Sequence, residues 1–145
     1  MELDEFDRQI LAALQGNARL SNLELSQRMA LSHSAISRRI KRLEECGVIR
    51  GYSARIDREA SGESVRAFVG VARQPAVPAM EVAEALKVVP GVAGCWIVSG
   101  DYDVMIELAA RDMAEFSSIM LDRVQTARGV AATRSMLVLS ALKER

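Results

Sequence analysis

Residues 32–47 read SHSAISRRIKRLEECG, and one side of this stretch is apolar. Ile36, Ile40 and Leu43 recur at three- and four-residue steps, which places them on one stripe of a helix turning about 100° per residue. Ser32 precedes the stretch and has a side chain that favours the N-cap position. The pattern therefore predicts a helix that Ser32 caps and that buries the three apolar side chains.

The opposite side of the same helix is basic. Between Arg28 and Leu43 there are five Lys or Arg residues and no Asp or Glu. A solvated helix face usually mixes both signs of charge, whereas arginine and small polar residues can contact DNA phosphates and base edges. We therefore interpret this side as a DNA-binding surface. The residues that we assign to it are His33, Ser34, Ser37, Arg38, Lys41 and Arg42.

Arg39 lies on the flank of the apolar stripe, between the two faces. Two roles suit that position: an ion pair with an acid of the first helix, or a contact with a DNA phosphate.

Two further helices are predicted upstream. Asp4 can cap a helix at about 4–16, and Ser21 with Glu24 has the spacing of a capping box for a helix at about 22–30. A short link then leads to the basic helix. This order predicts a helix-turn-helix, in which the second helix of the pair enters the major groove.

After Gly47 the pattern becomes strand-like over 48–56, and a polar stretch follows it. We predict a DNA-binding domain with this linking strand over 1–60 and a second domain over 61–145. The second domain is predicted to contain a strand at 65–71, a helix at 77–89, strands at 92–99 and 102–109, a helix at 112–127 and a strand at 132–141. The order βαββαβ is that of a ferredoxin-like sandwich, so the fold class is α+β.

The strands of this sheet are apolar on both faces, as in residues 95–98 (CWIV) and 136–139 (MLVL). Two helices can cover only one face, and a solvated face would alternate apolar with polar residues. We therefore expect the second face to pack on another copy of the chain in a homodimer.

Composition limits the other possibilities. The 145 residues are 50% hydrophobic and 26% charged with zero formal net charge, which is typical of a globular protein. We expect a cytoplasmic protein with no membrane association, because neither a secretory leader nor an apolar run of about 20 residues is present. Cys46 and Cys95 match no metal or redox spacing, and we expect both thiols to be buried. We expect no metal and no cofactor, because His33 is the only histidine.

Three segments follow one another along the chain: LDEFDRQILAAL (3–14), LSQRMALSHSAISRRIKRLEECGVIRGYSARID (25–57) and VSGDYDVMIEL (98–108). Taken in this order, they resemble the Lrp/AsnC (feast/famine) family of transcriptional regulators. The resemblance implies a winged-type helix-turn-helix and a sensor domain that dimerises through its sheet. It also implies assembly into tetramers, octamers or larger rings, DNA sites that are imperfect palindromes, and an amino-acid effector bound where sensor domains meet.

The resemblance also implies an effector site. Its residues would be Gly100, Asp101, Tyr102, Asp103, Thr133 and Ser135. A carboxylate there could receive the α-ammonium group of an amino acid, although Gly-Asp by itself is ordinary hairpin-turn chemistry.

The expected function is transcriptional regulation in response to a small effector. An effector-independent protein that organises DNA through oligomers is the alternative. We do not expect an enzyme such as the haem-pathway decarboxylases of similar build, because the sequence carries no catalytic motif and its one histidine lies in the DNA-binding part.

Overall fold

The computed structural model describes residues 2–143. The chain forms two compact units that divide between Arg55 and Ile56, slightly before the boundary predicted near residue 60.

The described part of the N-terminal unit contains helices α1 (Glu5–Gly16), α2 (Asn22–Met29) and α3 (His33–Glu45). Both predicted upstream caps are confirmed. The Asp4 carboxylate accepts the Asp7 backbone N–H at 2.8 Å, and the Ser21 hydroxyl accepts the Glu24 N–H at 3.2 Å. In each case the acid three residues later accepts the backbone N–H of the cap residue, which completes a capping box.

The core of this unit is small and is built from all three helices. Ile10, Leu25, Ile36 and Leu43 are completely buried, and Ile40 packs against them. The predicted apolar stripe of α3 is therefore confirmed. Ala30 ends α2 in the left-handed region at φ 52°, which turns the chain sharply into α3.

The predicted linking strand over 48–56 is wrong. No strand is assigned anywhere in the described residues 46–57. A strand needs a neighbour with which to exchange backbone hydrogen bonds, but Val48 and Ile49 donate their N–H groups to the Leu43 carbonyl at the end of α3. Residues 48 and 49 therefore extend the helix terminus and do not begin a sheet.

The C-terminal unit has the predicted βαββαβ order and confirms the α+β fold class. Its elements are β1 (Val65–Arg73), α4 (Ala79–Leu86), β2 (Val92–Ile97), β3 (Val104–Ala110), α5 (Met113–Ile119) and β4 (Val130–Leu137). They form an antiparallel sheet of order β2-β3-β1-β4 in the described residues. Helix α5 continues into a π-helical turn, Met120–Val124, within the predicted helix 112–127.

Helices α4 and α5 cover one face of the sheet. Alternate residues of the central strands, such as Val69 and Ile106, are completely buried there against Leu86 and Val124. Alternate side chains of a strand point to opposite faces, so Phe68 and its neighbours lie on the face that these helices leave uncovered.

The uncovered face carries apolar and charged groups side by side. Trp96 and Met136 are 47% and 45% exposed. Arg66 donates through Nε to Glu107 at 2.7 Å, and its guanidinium lies 5.2 Å from the centre of the Phe68 ring. The apolar residues that the sequence places on both faces of the sheet are thus observed on both.

Candidate DNA-binding surface and effector loop

Helix α3 presents the predicted DNA-contacting residues on its exposed side. His33, Ser34, Ser37, Arg38 and Lys41 are all exposed, while Ile36 and Leu43 anchor the helix from the other side. Lys41 lies 3.7 Å from Glu45, with both side chains at least 65% exposed, so this pair is weak and leaves the ammonium group available.

Arg39 is held by acids of α1. Its Nη1 donates to Asp4 at 2.6 Å and to Asp7 at 2.8 Å. The ion-pair role considered for Arg39 is therefore confirmed. Hydrogen bonds from the Asp7 backbone, and then from Arg39, lower the pKa of Asp4, while Asp4 and then Asp7 raise the pKa of Arg39.

Arg42 is held in the same way, which the sequence does not predict. Its Nη2 lies 2.5 Å from the other carboxylate oxygen of Asp7, and its side chain is 46% exposed. Asp7 itself is completely buried. The available signal was its position, because Asp7 occupies the helical register of Leu3 and Ile10, where an apolar residue is expected.

The predicted Gly100-Asp101 hairpin joins β2 to β3. Val98 donates its N–H to the Asp103 carbonyl at 3.0 Å and closes the loop. Gly100 has φ 127°, a conformation that favours glycine. The loop over 98–103 is therefore a tight turn whose exposed tip carries Gly100 and Asp101.

The two acids of this loop differ in their partners. Asp103 accepts hydrogen bonds from the Arg73 backbone N–H at 2.9 Å and from Arg73 Nε at 3.2 Å. Within residues 2–143, Asp101 is exposed and its carboxylate has no hydrogen bond or ion pair. Asp101 is thus the carboxylate that is free to receive a new cation, while Asp103 fixes the base of the loop.

Tyr102 lies against β1 at a glycine that the sequence analysis missed. A side chain at Gly70 would place its Cβ 2.6–2.8 Å from the Tyr102 ring, closer than atoms can approach. The missing side chain therefore allows the ring to lie flat on the strand. Gly70 falls in the middle of an apolar run, which is the only signal that could have indicated a close contact.

Thr133 and Ser135 lie on the strand on the other side of β1. Thr133 pairs with Val71, whose carbonyl also accepts the Asp103 N–H. With strands about 4.8 Å apart, the loop base and Thr133 are separated by roughly 10 Å of backbone. Ser135 pairs with Val69, further from the loop, and is exposed.

Thr133 also lines a separate cavity of about 370 Å³. The cavity is bounded by Gln125, Val130, Ala131, Ala132 and Thr133. Gln125 follows the π-helical turn and donates to the Thr133 hydroxyl at 3.4 Å. Because the hairpin residues do not line this cavity, the predicted effector residues share one end of the sheet without forming one pocket.

Two remaining predictions concern cysteines and ligands. Cys46 is exposed and Cys95 half-buried, so the expectation of two buried thiols is wrong; Cys46 lies at the exposed end of α3. Within the described residues, no group of three or more His, Cys, Asp or Glu side chains could hold a metal ion. No helix in the same residues is both long and apolar enough to cross a bilayer.

Comparison with known proteins addresses both units. A sequence model of winged helix-turn-helix DNA-binding domains matches residues 3–50, and that of the Lrp/AsnC ligand binding domain matches residues 66–145. The leucine-responsive regulatory protein of Rhizobium meliloti is 34% identical, over 99% of this chain and 94% of its own length. The chain belongs to the Lrp/AsnC family of transcriptional regulators.

Solved structures of similar proteins support the same assignment. A Neisseria meningitidis transcriptional regulator in complex with L-Met has a TM-score of 0.92 at 36% identity, covering 99% of this chain and 94% of the other. A feast or famine regulatory protein from M. tuberculosis complexed with L-methionine has a TM-score of 0.92 at 32% identity, covering 99% and 96%. This Lrp/AsnC chain is a transcriptional regulator with a DNA-binding domain and a ligand-binding domain, as the sequence predicts, and the effector-independent alternative is not favoured.

Proposed function

We propose that a homodimer of this regulator binds double-stranded DNA by placing α3 of each protomer in the major groove. The observation that carries the proposal is the division of α3, whose buried Ile36 and Leu43 leave Arg38 and Lys41 exposed. His33, Ser34, Ser37 and Arg42 complete the contacting set. Two symmetry-related helices would read two half-sites, so the DNA site is an imperfect palindrome.

The dimer forms through the uncovered face of the sheet. Support comes from Trp96 and Met136, large apolar side chains that are nearly half exposed, and from Phe68, which pairs with Met136 in the sheet. Dimers assemble further into tetramers, octamers or larger rings, a property that we infer from the family resemblance. Because its target is the chromosome, the regulator acts in the cytoplasm.

The DNA contacts are tested with the Arg38→Ala/Lys41→Ala double variant. Each contact to a phosphate contributes to affinity, so we expect binding to a promoter fragment to weaken at least tenfold at constant salt. The matched control is Lys87→Ala/Arg128→Ala, which removes two exposed cations from the C-terminal unit. Equal affinities for the two double variants, both folded and dimeric, would refute the assignment of α3.

The effector is a free amino acid, and L-methionine is the first candidate because two similar structures hold it. Its α-ammonium group is received by Asp101, since Arg73 already engages Asp103. Gly100 allows close approach of the backbone, while Tyr102, Thr133 and Ser135 line the remainder of the site. The separation of the loop from Thr133 supports completion of the site by a neighbouring protomer.

Calorimetry across the twenty amino acids tests the effector proposal. We expect at least one ligand, with binding abolished in Asp101→Ala and weakened in Asp103→Ala, because the latter loosens the loop base. The matched control is Asp122→Ala, an exposed acid near the end of α5. If no amino acid binds, the protein acts on DNA without an effector.

The effector regulates DNA binding by favouring one assembly state over another. No catalytic role is proposed. The proteins similar to this chain are named as regulatory proteins or transcriptional regulators. His33, the only histidine of the sequence, lies in the DNA-binding unit and far along the sequence from the effector residues.

A further inference from the structure

Asp7, on α1, binds two arginines of α3. Its Oδ1 accepts from Arg39 at 2.8 Å, its Oδ2 lies 2.5 Å from Arg42 Nη2, and its exposed fraction is zero. A buried ion pair often adds little net stability, because the desolvation cost offsets the attraction. The buried Asp7 is therefore better explained by its effect on the position of the two arginines than by a gain in the stability of the unit.

The arginines are held at one end only. Arg39 uses Nη1 for both acids, and Arg42 uses Nη2 alone, so within the described residues each guanidinium keeps further N–H groups for another acceptor. The Phe6 ring lies 5.4 Å from the Arg39 guanidinium carbon and fixes that group further.

These groups surround a groove of about 280 Å³ lined by Ala35, Arg38, Arg39 and Arg42. Ala35 has a small side chain, which leaves space for an acceptor above the helix. Arg39 and Arg42 pair with the two acids Asp4 and Asp7, so with Arg38 the groove keeps one net positive charge. An oxyanion with hydrogen-bond acceptors on several sides fits such a groove, and the phosphate of a DNA backbone is one.

We propose that Asp7 is a positioning residue that holds Arg39 and Arg42 around a subsite for one DNA phosphate, with Arg38 as its third arginine. This rests on the proposed function, because the phosphate belongs to DNA bound along α3. Asp7 does not touch the DNA. It acts by directing the free N–H groups of the two arginines into the groove.

The test is Asp7→Asn, which keeps the size of the side chain and replaces one accepting oxygen by a donor. Its control is Glu45→Gln, which removes an acid from the same unit and leaves the Asp7 pairs intact. The Glu45 side chain is 65% exposed. Removing a negative charge near DNA should by itself strengthen binding, as we expect for Glu45→Gln. For Asp7→Asn we expect DNA binding at least tenfold weaker. We also expect the salt slope, the slope of log affinity against log salt concentration, to be reduced by about one.

A second variant keeps the inference testable if Asp7→Asn does not fold. Arg42→Gln changes a half-exposed side chain and should lower the salt slope by about one. In a folded Asp7→Asn/Arg42→Gln protein, the second change should add little further loss, because both remove the same contact.

The inference fails if Asp7→Asn binds DNA as well as Glu45→Gln with an unchanged salt slope. It also fails if Arg42→Gln leaves the slope unchanged. If only this inference fails, Arg38→Ala/Lys41→Ala still weakens binding. If the proposed function fails, that double variant binds as the wild-type protein does.

Discussion

The two units of the chain build their candidate sites in different ways. In the N-terminal unit, the proposed DNA-contacting residues all lie on one helix, α3, within residues 33–42. In the C-terminal unit, the proposed effector residues come from the 98–103 loop and from β4, on opposite sides of β1. A helix places residues three and four apart on one face, so the first site is local in sequence, whereas pairing between strands assembles the second.

The units also differ in where they place charge. Asp7 is a completely buried carboxylate beside the small core of the N-terminal unit. In the part of the C-terminal unit that the structure describes, the buried core is apolar, and the Arg66–Glu107 pair lies on the uncovered face. The N-terminal unit thus uses a buried charge to orient a surface, and the C-terminal unit uses apolar packing to support one.

The largest effects should come from the two cores. We expect Leu43→Ala and Leu108→Ala, both at completely buried positions, to lower the free energy of unfolding of their own units by about 2–5 kcal/mol. Trp96 is the only tryptophan and reports the C-terminal unit, while circular dichroism is weighted toward the helices of both units. Leu43→Ala should shift the dichroism transition and leave the Trp96 transition in place.

The control for this prediction is Leu108→Ala, which should move the Trp96 transition instead. Equal shifts of Trp96 fluorescence in both variants would mean that the two cores unfold together, which would break the comparison.

The next effect concerns the contact of Gly70 with Tyr102. Gly70→Ala forces the Tyr102 ring to move, because the added Cβ would lie within 2.8 Å of it. We expect a loss of about 1–3 kcal/mol from the C-terminal unit, together with weaker effector binding. Denaturant unfolding followed by Trp96 measures the loss.

Tyr102→Ala in the Gly70→Ala background should recover part of that stability, since it removes the clash. A Gly70→Ala protein with wild-type stability and effector affinity would show that the ring does not need this strand.

Helix caps should have smaller and equal effects in both units. Ser21 caps α2 through the Glu24 N–H, and Asp112 caps α5 through the Glu115 N–H at 2.8 Å. We expect Ser21→Ala and Asp112→Ala each to cost about 1 kcal/mol, measured by thermal unfolding. A cost confined to one unit would show that packing, and not capping, holds the other helix.

The smallest effect should be a response to acid. Backbone hydrogen bonds are the leading cause of the lowered pKa of Asp4 and Glu24 in the N-terminal unit and of Glu115 in the C-terminal unit. A carboxyl group whose pKa is lowered on folding stabilises the folded state above its ordinary pKa of about 4. That stabilisation is lost as the pH falls through the folded-state pKa. Between about pH 5 and 3, the thermal midpoint of the N-terminal unit, with two of these acids, should therefore fall more than that of the C-terminal unit, with one. Asp4→Asn should reduce the fall of the N-terminal unit.

More of the helical N-terminal unit than of the sheet could be predicted from the sequence. Capping residues and the stripe of Ile36 and Leu43 depend on local spacing, so the helices and the face of α3 could be predicted. Arg42 could not be assigned to Asp7, because local spacing does not separate Arg42 from the exposed basic residues of α3. The strand at 48–56 was wrong because alternation cannot show whether a partner strand exists.

The effector residues show the same limit. The hairpin at Gly100 could be predicted from turn chemistry, but the engagement of Asp103 by Arg73 and the fit of Tyr102 over Gly70 depend on the pairing of β1 with β3. The glycine within the apolar run of β1 is the one local signal, and it does not identify Tyr102 as the partner.

The salt dependence of DNA affinity tests the central claim most directly, because the change in slope on removing Arg38 and Lys41 counts the phosphate contacts that these two residues of α3 make. The logarithm of the affinity of the wild-type dimer for a promoter fragment is measured against the logarithm of salt concentration, alongside Arg38→Ala/Lys41→Ala. Each lost phosphate contact should reduce the slope by about 0.9, so a reduction of up to about two is expected. A double variant that is folded, dimeric and unchanged in both affinity and slope would contradict the claim that α3 is the DNA-binding surface.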